Sequence, residues 1–172
     1  MLRIVFLSLT LIATVHADSV DRRPLPAFTA TAAQDWFNSA PLRVEDLRGQ
    51  VVLIDVWTFG CWNCYRSFPW LNALEGRLAG SSFQIVGIHS PEFAHERDPA
   101  MVGAKIAEFG LRHPVMLDND FAYWRALGNR YWPAYYLVDK RGDIRELHVG
   151  ETHEGDARAR AIEERIHALL AE

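Results

Sequence analysis

Val51–Leu71 reads VVLIDVWTFGCWNCYRSFPWL, and its two halves follow different periods. Val51 to Trp57 is an unbroken run rich in β-branched and aromatic residues, the mark of a strand buried on both faces. From Trp62 to Leu78, apolar residues recur at 65, 68, 71, 74 and 78, which is a helical spacing. Between them stands Cys61-Trp62-Asn63-Cys64, where a buried strand gives way to a helix. The first turn of a helix offers unpaired N–H groups and the positive end of the dipole, and both favour a thiolate. A free cysteine ionises near ~8.5, and helix N-termini or Cys-x-x-Cys motifs bring that to about 7 or lower. Cys61, at the tip, is the candidate nucleophile. Cys64, one turn further in, is the candidate resolving thiol.

Other uses of the pair compete with redox exchange. A static disulfide across two residues closes too small a loop to stabilise much. A zinc site needs four ligands, and the histidines at 89, 95, 113, 148, 153 and 167 show no ligand spacing. A haem attachment motif needs His after the second cysteine, where Tyr65 stands. Two other activities stay open. Thr58-Phe59-Gly60-Cys61 has the Thr spacing of a thiol peroxidase but lacks its proline, and two thiols can also hold Cu(I) as soft ligands.

Asp55 interrupts the apolar strand six residues before Cys61. An ionised carboxylate in a buried strand is costly, so its pKa is expected to rise. Its side chain is expected to lie beneath the helix start, as a proton acceptor for Cys64. An edge-strand Asp facing solvent is the plain alternative. Pro69 falls inside the helical pattern, where it should kink or interrupt the helix. Glu92 and His89 follow the second strand at its carboxyl end, where ligands gather in open α/β sheets. Glu92 is a candidate for tuning the thiols, although a solvated loop fits either residue as well. Arg66, one turn into the helix, defaults to a surface arginine.

Outward from this stretch, Phe83–Ile88 predicts a second buried strand, and residues 99–109 a helix stopped by Gly110. Residues 114–117 predict a short strand, and residues 121–127 a helix capped by Asp120 and stopped by Gly128. Residues 135–138 and 144–149 flank Asp139-Lys140-Arg141-Gly142-Asp143, a hairpin signal. Residues 156–170 predict a closing amphipathic helix. The order implies an α/β fold, a central mixed sheet with helices on both faces and one hairpin strand antiparallel to the rest. Residues 42–48 predict a helical turn closed by Gly49, and residues 18–41 read as a loosely ordered lead-in to a domain spanning 42–172. Tyr131-Trp132-Pro133-Ala134 precedes a strand, and base rates alone make its X–Pro bond trans.

The chain opens Met-Leu-Arg, continues as a mostly apolar run from Ile4 to Val15, and reaches His16-Ala17-Asp18. That pattern predicts a signal peptide over residues 1–17. The run falls short of the roughly 20 residues of a spanning helix. Export to the periplasm, an oxidising compartment, follows as an expectation. With 18 Lys+Arg against 22 Asp+Glu and no basic run, neither nucleic acid nor an anionic membrane is expected as the main partner.

The run DVWTFGCWNCYRSFPWL, with Asp six before and Pro five after the pair, resembles the thioredoxin superfamily. VGIHSPEFAHERDP and LDNDFAYWRALGNRYWPAYYLVDKRGDIRELHVGE are similar to its exported TlpA/ResA-type branch and to the periplasmic domain of DipZ-type proteins. The resemblance spans about residues 42 to 170. It implies a thioredoxin-like fold, Cys61 as attacking and Cys64 as resolving cysteine, Asp55 as the buried acid and Pro133 as a cis-proline beside the pair. It places Glu92 roughly where the branch has an acid. Trp62 and Asn63 stand where thioredoxin has Gly-Pro, a dipeptide that tunes potential, and Trp132 adjoins the cis-proline. A protein disulfide reductase is implied, monomeric, without organic cofactor or metal. It would be recharged by a membrane electron donor of DsbD/CcdA type, with cytochrome c maturation among the processes it could serve.

Overall fold

The computed structural model describes residues 22–172; the expected leader lies outside them. Four strands form the centre. β3 (Val51–Trp57) runs parallel to β4 (Phe83–His89), β4 parallel to β5 (Val115–Leu117), and β6 (Ala134–Val138) antiparallel to β3. β7 (Asp143–Val149) pairs with β6 through the expected hairpin. The crossovers carry α1 (Trp62–Arg77), α2 (Pro99–Phe109) and α3 (Ala122–Leu127), and α4 (Ala157–Ala171) closes the chain. None of the described helices is long and apolar enough to cross a membrane.

Alternation along β3 sorts the side chains between two cores. Val51, Leu53 and Trp57 face Phe68, Leu71, Leu74, Ile106 and Ile166, from α1, α2 and α4. Val52, Ile54 and Val56 face the other layer, with Tyr123 and Leu127 of α3. Asp55 shares the parity of the first set, which aims it at the layer containing α1. The helices therefore lie on both faces, as expected, but unequally.

The lead-in is the main departure from expectation. Arg23–Pro24 (β1) pairs antiparallel with β7, and Trp36–Phe37 (β2) with β5, so both edges of a seven-stranded sheet, ordered β1-β7-β6-β3-β4-β5-β2, come from residues 22–41. Leu25, Phe28 and Trp36 are buried in the second core. Phe28 packs edge-on against Trp36 with ring centroids 5.4 Å apart, and the Trp36 indole N–H donates to Ala30 O at 2.8 Å. Burying such side chains contributes roughly 1.5–3 kcal/mol each, which makes the segment part of the domain. Two-residue strands carry no readable period, and Pro24 and Pro26 made the segment look like coil.

Two helix details also differ. Pro69 lies inside α1 as expected but does not interrupt it, and the helix continues to Arg77. α3 is capped chiefly by Asp118, whose carboxylate accepts from Tyr123 N at 2.8 Å, Trp124 N at 2.9 Å and the Ser90 hydroxyl at 2.8 Å. Among the described residues the Asp120 carboxylate accepts from Ala122 N alone.

Candidate active site at the start of α1

Cys61 is the N-cap residue of α1, and its sulfur accepts the Cys64 backbone N–H at 3.2 Å. Both cysteines are free thiols here, Cys61 half-buried and Cys64 fully buried. The environment divides them. The Cys61 thiol pKa is lowered, first by its hydrogen bond with the Cys64 side chain and also by the Cys64 and Asn63 N–H groups, against burial and the charge of Glu92. Burial pushes the Cys64 thiol well up, and the hydrogen bond with Cys61 adds to it. One sulfur is thus prepared as a thiolate and its neighbour kept protonated.

Asp55 is 1% exposed and has an oxygen, Oδ2, with no hydrogen-bond partner among the described residues. Burial, then the charge of Cys61, raises its pKa to about 8. Its ladder partner in β6 is Tyr135, whose buried hydroxyl is also pushed up, by burial and then by Asp55. The solvent-facing alternative for Asp55 is therefore excluded.

The Trp132–Pro133 bond is cis. Trp132 is held by its indole N–H donating to Ser90 O at 3.0 Å and by Trp124, with ring centroids 4.3 Å apart. Beside Cys61 opens a cleft of about 520 Å³. Three segments line it: Gly60–Asn63, Glu92 with Phe93, and Arg130–Trp132. Trp62, Phe93 and Tyr131 are more than half exposed, so the rim is aromatic. The structure thus brings Cys61, Trp62, Asn63, Glu92 and Trp132 to one cleft, with Cys64 and Asp55 buried behind Cys61.

Two further candidates resolve differently. His89 is fully buried rather than solvated, stacks on Phe59 at 5.7 Å, and is lowered to about 4 by burial. Arg66 forms an ion pair with Glu151 at 3.0 Å on the surface. One residue of the site was not anticipated. Glu96 is completely buried, and its carboxylate accepts three backbone N–H groups: Gly60 at 2.6 Å, Glu92 at 2.5 Å and Phe93 at 2.8 Å. Its only sequence signal was the turn-rich context of SPEFAHER, which reads as an exposed loop. Among the described residues no cluster of three or more His, Cys, Asp or Glu is placed to hold a metal ion.

Comparison with known proteins agrees with this geometry. The chain is 40% identical over 119 residues to the protein DipZ of Mycobacterium bovis, covering 67% of this chain and 17% of that one. It thus spans about a sixth of that relative's length. It is 28% identical over 151 residues to the thiol-disulfide oxidoreductase YkuV of Bacillus subtilis, covering 88% of this chain and 97% of YkuV. The crystal structure of the thioredoxin-like superfamily protein SPOA0173 superposes with a TM-score of 0.75 at 27% identity, over 87% of this chain and 97% of that one. The thioredoxin-like fold is therefore established, and since residues 21–163 match the Redoxin family, the chain belongs to that family.

Proposed function

We propose that the protein is a thiol-disulfide oxidoreductase that reduces disulfides in polypeptides. The observation that carries this is the asymmetry of the pair: an accessible Cys61 with a lowered thiol pKa against a buried Cys64 with a raised one, backed by the Asp55 carboxyl, whose Oδ2 has no partner among the described residues. The thiol-disulfide oxidoreductase among its relatives supports it.

The Cys61 thiolate attacks one sulfur of the substrate disulfide. That S–S bond breaks, a Cys61–substrate disulfide forms, and the released substrate thiolate takes a proton from water. Cys64 then gives its proton to the Asp55 carboxylate, attacks Cys61 Sγ and displaces the second substrate thiolate, which Asp55 or solvent protonates. The substrate gains two electrons and the enzyme keeps a Cys61–Cys64 disulfide. Charge explains the timing. While Cys61 is a thiolate, its charge adds to burial in holding the Asp55 proton. The mixed disulfide abolishes that charge, so Asp55 releases its proton to solvent more readily and its carboxylate is available when Cys64 must lose its own.

Glu92 is a candidate for tuning the pair: its charge, a minor influence on Cys61, works against the hydrogen bonds that lower the thiol's pKa and so limits how far the dithiol form is stabilised. The cis Pro133 stands in the strand-start position against which a substrate backbone would lie. Export on the Met1–Ala17 leader and recharging by a membrane donor of DsbD/CcdA type complete the proposal. Cys64→Ser protein should accumulate a mixed disulfide with its substrate through Cys61, identifiable by mass spectrometry. Cys61→Ser protein should trap nothing. Faster iodoacetamide labelling of Cys64 than of Cys61 at neutral pH would reverse the two roles. An intact mass that starts near Asp18 supports export; one that includes Met1 opposes it.

A further inference from the structure

Glu96 stands outside the thiol chemistry just described, yet it is the most heavily hydrogen-bonded acid at the site. It is 0% exposed and forms no Lys or Arg ion pair among the described residues. An acid placed there without a cation demands compensation by donors. The donors come from two separated segments. Oε1 accepts Gly60 N–H at 2.6 Å, from the loop that carries Cys61. Oε2 accepts Glu92 N–H at 2.5 Å and Phe93 N–H at 2.8 Å, from the loop that follows β4. The Phe93 contact is an ordinary cap for the single helical turn Ala94–Arg97. The Gly60 contact is not needed for that cap. It is also close enough that a Cβ on residue 60 would collide with Oε1.

Gly60, with the Cys61 loop, and Glu92 and Phe93, with the loop after β4, both line the cleft beside Cys61, and the Glu96 carboxylate joins these two walls where they meet. We propose that Glu96 is a positioning residue that ties the two walls together and sets the width of the cleft that receives the polypeptide carrying the target disulfide. The proposal presupposes the dithiol exchange above and adds a specificity element to it. A polypeptide must fit between the walls, whereas a small disulfide needs only to reach Cys61 Sγ.

Glu96→Gln separates this role from capping. A glutamine side chain has the same shape but only one acceptor atom. That oxygen stays with the two donors of the Glu92–Phe93 wall. The amide NH₂ then faces the Gly60 N–H, donor against donor, and releases the wall that carries Cys61. Amide hydrogen exchange should quicken at Gly60 and stay slow at Phe93. The KM for a polypeptide disulfide such as insulin should rise about tenfold, the effect of losing roughly 1.4 kcal/mol of binding, with kcat held within about twofold. Reduction of the small aromatic disulfide 5,5′-dithiobis(2-nitrobenzoate) and the pH profile of Cys61 alkylation should not change. Gly60→Ala, which pushes the same wall from the other side, should weaken reduction of the polypeptide disulfide more than that of the small one.

A parallel loss on both substrates in the folded variant, or no loss on either, would overturn the proposal. Unchanged exchange at Gly60 would overturn it as well, whatever the kinetics. If the wild-type protein reduces the small disulfide but no polypeptide, the substrate class proposed above fails. The Gly60 exchange then still decides whether Glu96 holds the walls together.

Discussion

Asp55 and Glu96 are both carboxylic acids withdrawn from water at the same site, and their surroundings are opposite. Asp55 lies in the middle of a strand paired on both sides in the sheet, and one of its oxygens finds no partner among the described residues. Glu96 lies at a turn between two loops whose N–H groups are free to point at it, and both of its oxygens accept. The acid without donors is left to exchange a proton, and the acid surrounded by donors holds the chain in place. Burial alone does not tell a proton carrier from a tether; the supply of backbone donors does.

Removing each acid should therefore move stability in opposite directions. The largest expected effect is at Asp55. Its carboxyl ionises near pH 3.8 when unfolded and about 8 when folded, so between those values the native state holds the extra proton. Stability from this group is full below about pH 4 and is lost as pH rises toward about 8. Asp55→Asn should leave stability near pH 4 little altered and raise it by several kcal/mol at pH 8, at about 1.4 kcal/mol for each pH unit between the two values. Urea unfolding across that range checks this, and a gain that does not grow with pH would contradict it. In the same variant insulin reduction at pH 7 should fall, because Cys64 then keeps its proton. The deficit should shrink by pH 9 as solvent takes over.

Glu96→Ala should do the reverse and destabilise by about 3 kcal/mol, since three N–H donors lose their acceptor at roughly 1 kcal/mol or more each. A change below about 0.5 kcal/mol, the scale of an ordinary surface substitution, would mean that water replaces the carboxylate and that the contrast with Asp55 fails. Gly60→Ala gives the smallest effect and the sharpest test. Its new Cβ meets Glu96 Oε1, for an expected loss of about 1–2 kcal/mol from overpacking. Most of that loss should vanish when Glu96 is already alanine, a coupling readable in a double-mutant cycle. Additive losses would show that the two residues do not act on one another.

Much of this molecule could be read locally. The period change between Val51–Trp57 and the following helix placed Cys61 at a helix start, because strand and helix periods are properties of adjacent residues. Asp55 was expected beneath the helix start from its place six residues before Cys61, and turn chemistry at Gly110, Gly128 and Asp139–Asp143 marked several element ends. The proline at 69 was visible, but not its accommodation inside a continuous α1.

What only the tertiary structure decided depends on partners far apart in the chain. Edge strands of two residues have no period and exist because β5 and β7 offer open edges, to residues 36–37 and 23–24 respectively. Asp118 rather than Asp120 is the chief cap of α3, and the same carboxylate is held by the hydroxyl of Ser90, 28 residues earlier. Glu96, in a charged and turn-rich loop, has the composition of a solvated segment, and its burial follows from Gly60, 36 residues earlier. Amino-acid type and spacing determined the strand, the helix and the reactive pair, since those rest on backbone geometry and side-chain alternation. Two of the donors to Glu96 are near it in the chain, but the Gly60 donor that makes it a tether beside the pair was decided only by the fold, because that contact is made in space and not along the chain.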